Sequence, residues 1–138
     1  MALILDTGPL IASFDRDEVA HGACRDLIRQ TDELRVVPAP VLPEIDYLVR
    51  RRFGAGPVVA FFRDIESGSY VVEDLVAEDY PRVRDLMDRY ADLGVGFVDA
   101  AVLAIVERFG ETKLATLDRR HFSVMRPRHV EALELLPA

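Results

Sequence analysis

Two short runs of the buried-strand type, Ala2-Leu3-Ile4-Leu5 and Lys113-Leu114-Ala115-Thr116-Leu117, each stop at an aspartate, with helical patterning between them. Apolar runs of this length fit strands buried on both faces, and such strands belong to parallel sheets covered by helices. Val36-Val37, Tyr70-Val71-Val72 and Leu133-Glu134-Leu135 add weaker strand signals. The helical segments lie at Leu10–Phe14, from about Glu18 to Gln30 after a cap region at Asp15–Asp17, and from Pro40 and Pro43 to Phe53 on a stripe of Ile45, Leu48 and Val49. Gly54-Ala55-Gly56-Pro57 breaks that helix, and a further one covers Val58–Glu66. A charged surface helix follows over Glu78–Asp92, with Val83, Leu86, Met87 and Tyr90 inward, and a strongly apolar one over Phe97–Phe109. Strands alternating with helices predict a parallel sheet with right-handed crossovers and helices on both faces. Sites in such sheets form at the carboxyl ends of strands, which is where Asp6 and Asp118 stand.

No linker, repeat or low-complexity stretch divides the 138 residues, so the expectation is one domain over 1–138. A chain of this length hides roughly two-thirds of its unfolded surface and needs no disulfide; the lone Cys24 offers none. No run approaches the ~18 apolar residues that span a bilayer, and Met1 leads straight into a strand-like run rather than a basic, then apolar, export signal. A reducing cytoplasm is expected. Seventeen Lys and Arg against 24 Asp and Glu give a formal charge of −7. That balance excludes a broad basic nucleic-acid footprint, but not an enzyme that holds nucleic acid through cations and a few local arginines.

Four acids stand out. Asp6 and Asp118 each follow a buried-type strand; each also has a structural reading, since aspartate ends strands by bonding backbone N–H groups of the next turn. Asp99 is the one polar residue in Phe97-Val98-Asp99-Ala100-Ala101-Val102-Leu103-Ala104-Ile105-Val106. A helix apolar all round is buried, and a carboxylate near its start either complements the helix dipole or meets a cation. The fourth lies in Pro43-Glu44-Ile45-Asp46, where Glu44 and Asp46 flank the stripe on opposite sides and periodicity does not choose between them. Convergent carboxylates are the ligand set of hard divalent cations such as Mg²⁺. His21, His121 and His129 lack a zinc-ligand spacing. The reaction class implied is cation-dependent hydrolysis of a phosphodiester.

These residues resemble the PIN-domain ribonucleases, in particular the VapC-type toxins of bacterial toxin–antitoxin pairs. The similarity rests on Leu5-Asp6-Thr7, Pro43-Glu44-Ile45, Asp99-Ala100-Ala101 and Thr116-Leu117-Asp118-Arg119-Arg120-His121-Phe122, in the family's order and spread over the whole chain. The resemblance selects Glu44 over Asp46. It implies that Asp6, Glu44 and Asp99 are core metal ligands, that Asp118 is a fourth acid often acting through water, and that Thr7 and Thr116 support the acids. Gly8 stands where the family frequently has serine. Also implied are a PIN-like three-layer α/β/α fold with a parallel central sheet, dependence on Mg²⁺ or Mn²⁺, and endonucleolytic cutting of structured RNA, tRNA or an rRNA loop, to leave a 5′-phosphate. A homodimer and a small VapB-type antitoxin complete the implied assembly.

Beside the acids, Arg119 and Arg120 are the expected RNA-phosphate contacts, ahead of Arg50-Arg51-Arg52, which complement a helix C-terminus. His121 is expected to be a structural or rim residue. Val58-Val59-Ala60-Phe61-Phe62 is apolar enough to serve a dimer or antitoxin surface. A phosphoaspartate receiver lacks its acidic pair here, and a haloacid-dehalogenase-like phosphatase would need Asp where Gly8 stands. The alternative that remains is a PIN-type fold used only for binding RNA or an antitoxin.

Overall fold

The computed structural model describes residues 1–138. In chain order its elements are β1 (Ala2–Ile4), α1 (Thr7–Ala12), α2 (His21–Gln30), β2 (Leu34–Pro38), α3 (Leu42–Phe53), α4 (Ala55–Glu66), β3 (Val71–Glu73), α5 (Tyr80–Arg89), α6 (Phe97–Phe109), β4 (Lys113–Ala115), α7 (Arg119–Phe122) and β5 (Glu134–Leu136). β1 pairs in parallel with β2, β2 with β3, and β4 with β5. A parallel bridge between Leu5 and Ala115, with the Asp6 N–H donating to the Ala115 carbonyl at 2.9 Å, joins β1 to β4. The strand order is therefore β3-β2-β1-β4-β5.

That order places the helices. From β1 to β2 to β3 the chain steps one way across the sheet, and from β3 to β4 it steps back past β1. Right-handed crossovers in opposite directions lay their helices on opposite faces. Accordingly α1 to α4 pack among themselves, while α5, α6 and α7 form a second group. The sheet between them is the central layer expected from the sequence. Order reverses at β1, and the carboxyl edge beside such a reversal is where α/β sheets open a crevice.

α6 anchors the core. Every residue from Ala100 to Val106 is buried, and they join β1, β2 and β4 residues in one cluster of 26. Ala100, Ala101 and Ala104 keep its profile low, while Val102, Leu103, Ile105 and Val106 fill the space around it. No helix is long and apolar enough to cross a membrane.

Several boundaries differ from expectation for local reasons. α2 begins at His21 rather than Glu18, because Asp15 turns back to accept the Asp17 N–H at 3.1 Å and is clamped by Arg52 at 2.7 Å. The break after α3 is one residue, Gly54, whose φ of 81° ends the helix and lets α4 start at Ala55. β2 is longer than its Val36-Val37 signal, β4 stops at Ala115, and β5 lies one residue later than expected. The helix expected over Glu78–Asp92 is regular only over Tyr80–Arg89, and Met87 is exposed rather than inward.

Candidate functional site

Asp6 leaves β1 at the reversal point with its backbone tied to Ala115. Its carboxylate accepts the Thr7 N–H at 2.9 Å on Oδ1 and the Thr116 hydroxyl at 2.8 Å on Oδ2. Thr116 in turn accepts the Asp118 N–H at 3.0 Å, so one hydroxyl links the acids that follow β1 and β4. Asp6 is only 6% exposed. Burial pushes its pKa up to about 6, against the two hydrogen bonds, with Asp99 and Glu44 adding to the rise.

Asp99 sits in the first turn of α6 without capping it. Its pKa is raised chiefly by burial, which the hydrogen bond from His121 opposes and the nearby Asp118 reinforces. Asp118 caps α7 by accepting the His121 N–H at 3.2 Å, so the structural reading of this residue also holds. Glu44, in the first turn of α3, is exposed and makes no hydrogen bond or ion pair. Asp46 faces another groove and is held by Arg50 at 2.8 Å. The two flanks that periodicity leaves equal are thus unequal in the fold.

Asp6, Glu44, Asp99 and Asp118 line one cleft of about 390 Å³ at the carboxyl edge of the sheet. Glu18 lines it as well; sequence reasoning missed it because it lies in the irregular turn before α2. No Lys or Arg borders this cleft. Thr7 supports Asp6 through its backbone N–H, while its own buried Oγ1 has no hydrogen-bond partner. Leu117 packs over Gly8, where an added Cβ would lie 3.1 Å from the Leu117 Cβ, so the small residue is matched by its neighbour. Oxygen donors in excess of any protein cation, beside an unpartnered hydroxyl, suit a hard divalent cation.

The sequence gives His121 a structural or rim role, and the fold sets it beside Asp99 and Asp118. Its Nδ1 is 2.5 Å from Asp99 Oδ2 and 3.3 Å from Asp118 Oδ2. The Asp99 hydrogen bond chiefly raises its pKa above the ordinary histidine value. Four-residue α7 gives no periodic signal that could have placed it. The arginines next to it diverge: Arg119 donates to the Leu135 and Pro137 carbonyls, away from the rim, whereas exposed Arg120 has no side-chain partner. Arg50 and Arg52 are engaged by Asp46 and Asp15. In the Val58–Phe62 run, Val58 and Phe61 turn into the molecule, and Val59 and Phe62 stay exposed.

The PIN domain family model matches residues 3–126. The chain is 34% identical over 125 residues to Ribonuclease VapC26 of Mycobacterium tuberculosis, covering 91% of this chain and 93% of that protein. Among solved structures it is similar to M. tuberculosis VapC20, described as a sarcin-ricin loop cleaving toxin, with a TM-score of 0.78, 22% identity, and coverage of 94% of this chain and 98% of that one. It is also similar to VapBC2 from Rickettsia felis bound to a promoter DNA fragment, with a TM-score of 0.70, 16% identity and 98% of each chain covered. The motifs, the strand order with its acid-lined edge, and a match over nearly the whole length agree: the chain belongs to the PIN-domain family, on its VapC branch.

Proposed function

We propose that this chain is a divalent-cation-dependent endoribonuclease, the toxin of a toxin–antitoxin pair, which hydrolyses phosphodiester bonds in structured RNA. The observation that carries the reading is the convergence of Asp6, Glu44, Asp99 and Asp118 on one cleft without a neighbouring Lys or Arg. Asp6, Glu44 and Asp99 would hold the cation, with Asp118 as the fourth acid. When bound, Mg²⁺ or Mn²⁺ supplies activation of water and neutralisation of charge on the phosphoryl and leaving oxygens.

The chain's own residues do the positioning. Thr116 fixes Asp6 and the Asp118 backbone to one another, so the ends of β1 and β4 present their acids in a set relation. Thr7 holds the second Asp6 oxygen through its N–H. Leu117 over Gly8 and Leu48 on α3 give the cleft apolar walls. Arg120, two residues after Asp118 in the sequence, is exposed and unpaired and so free to meet an RNA phosphate; Arg119 serves the C-terminal strand instead. Arg120→Ala should therefore weaken RNA binding and lower its salt slope by about one, while Arg119→Ala leaves the slope unchanged. Filter binding with a cleavage-dead Asp6→Asn background measures both.

The relative's name, ribonuclease, supports RNA as the substrate, and VapC20's description makes the sarcin-ricin loop the first RNA to try. The VapBC neighbours support a VapB-type antitoxin as partner. Exposed Val59 and Phe62, beside a groove with Leu42 and Pro43, supply apolar surface for the homodimer that this reading includes. The test is incubation of the purified protein with total bacterial RNA in Mg²⁺ or Mn²⁺, with EDTA and Asp6→Ala controls, and mapping of cut ends. Discrete 5′-phosphate ends that vanish in both controls are expected. A folded, antitoxin-free preparation that cuts nothing would overturn the enzymatic reading and leave a binding module.

A further inference from the structure

The three arginines in the last turn of α3 have unequal partners. Arg50 is held by Asp46, and Arg52 by Asp15 and Asp17. Arg51, between them, is exposed, and its one side-chain partner is the Tyr47 hydroxyl at 3.5 Å. Complementing the helix dipole takes cations anywhere in this turn and does not explain why this one is left without a carboxylate. Its direction sets it apart as well. Seven residues fall only about 20° short of two helical turns, so Arg51 shares the face of α3 that carries Glu44, with Leu48 between them. Glu44 and Leu48 both line the acidic cleft. Side chains on a helix tilt toward its N-terminus, and the Arg51 guanidinium accordingly leans back over Tyr47, one turn closer to Glu44. Tyr47 is 61% exposed and Leu48 42%. The α3 wall of the cleft therefore continues, over about 10 Å of helix axis, as an apolar side chain, an open aromatic ring and an unpaired cation.

An RNA strand in the cleft needs such a surface. The chain has a formal charge of −7 and no Lys or Arg borders the cleft, so phosphates flanking the scissile one meet cations only beyond its walls. Unpaired nucleotides are held by cations on their backbone and by aromatic faces on which their bases stack. We propose that Arg51 and Tyr47 grip a nucleotide flanking the scissile phosphate, Arg51 taking its phosphate and Tyr47 stacking on its base. This rests on the reading of the chain as an endoribonuclease.

The test uses the full chain in the cleavage-dead Asp6→Asn background, with a sarcin-ricin-loop hairpin and a mixed-sequence single-stranded RNA as probes. Both side chains are exposed, so their replacement should leave the fold intact, and circular dichroism checks this. Arg51→Ala should lower the salt slope of RNA binding by about one, and Arg51→Lys should restore it. Arg50→Ala, which removes the same charge from the same helical turn, should leave the slope unchanged. Tyr47→Ala should weaken binding about tenfold at an unaltered slope, with Tyr47→Phe restoring it. An unchanged slope in Arg51→Ala, an equal fall in Arg50→Ala, or undiminished affinity in Tyr47→Ala would overturn the proposal and leave the endoribonuclease reading standing. So would a Tyr47→Ala chain that binds RNA as before but sediments as a smaller assembly, since this face would then be a contact between proteins. A chain that binds neither RNA, and cuts neither when Asp6 is present, would sink the proposal together with the endoribonuclease reading.

Discussion

Asp6→Asn is expected to abolish RNA cleavage and, at the same time, to give a protein that melts higher than the native one. The loss follows from removing one carboxylate of the cation site, where several kcal/mol of charge stabilisation are at stake; about 4 kcal/mol corresponds to roughly a thousandfold in rate. The gain in stability follows from burial. A folded-state pKa of about 6 against an ordinary 3.8 means that ionised Asp6 costs the fold about 3 kcal/mol. The unfolded chain does not bear that cost. The folded protein holds this proton more tightly than the unfolded one, so the Asp6 contribution to cation-free stability should fall as pH rises from about 4 to about 6 and change no further beyond. Asparagine keeps an acceptor for the Thr7 N–H, and Thr116 can turn its hydroxyl to receive the new N–H, so the exchange removes charge while preserving shape. A rise of roughly 5–10 °C in Tm at pH 7 without divalent ions is the expected size. Added Mn²⁺ should stabilise the native protein and raise the variant much less. Thermal melts across pH, with EDTA and with Mn²⁺, check all three statements. A variant less stable than native at pH 7 would contradict the burial argument.

The second large effect lies away from the cleft. Arg82 of α5 makes a two-pronged bond to Glu107 of α6, Nε and Nη2 each at 2.9 Å, and reaches Asp85 at 2.8 Å and the Arg126 carbonyl at 2.9 Å. Both side chains are about 10% exposed. Glu107 also accepts the Arg128 N–H at 2.7 Å, so the pair pins the segment between α7 and β5 to the second helix layer. Arg82→Ala strands a buried carboxylate and should cost about 3–5 kcal/mol. Replacing both partners, as Arg82→Met with Glu107→Leu, leaves no buried charge and should recover most of that loss. Urea denaturation of the two variants measures the difference. A cost below about 1 kcal/mol for the single change would mean that water reaches Glu107 freely.

What the sequence made legible follows from which signals are local. Asp6 and Asp118 are marked by the apolar runs before them, and Asp99 by its isolation in a helix that is buried all round. Pairing of β1 with β4 brings Asp6 and Asp118 together, as the alternation of strands with helices already implied, and the start of α6 adds Asp99. Glu44 and Asp46 are indistinguishable by periodicity because they flank the stripe of Ile45 symmetrically. Only the resemblance chose between them, and the fold shows the physical difference in the ion pair that Arg50 gives to Asp46 alone. Glu18 reads as the start of a helix because the acids at Asp15 and Asp17 look like caps; in the fold Arg52, far along the chain, holds Asp15 in a turn. His121 and the divergence of Arg119 from Arg120 depend on a four-residue helix and on the packing of β5, neither of which leaves a periodic trace.

The claim on which the rest depends is that four acids from β1, α3, α6 and the end of β4 form one cation-holding site. Anomalous diffraction from a crystal soaked in Mn²⁺ tests it most directly. The account predicts a strong peak inside the cleft, within ligand distance of carboxylate oxygens from Asp6 and Asp99 and bordered by Glu44 and Asp118. A crystal with the cleft open to solvent that shows Mn²⁺ elsewhere, and none among these acids, would contradict it.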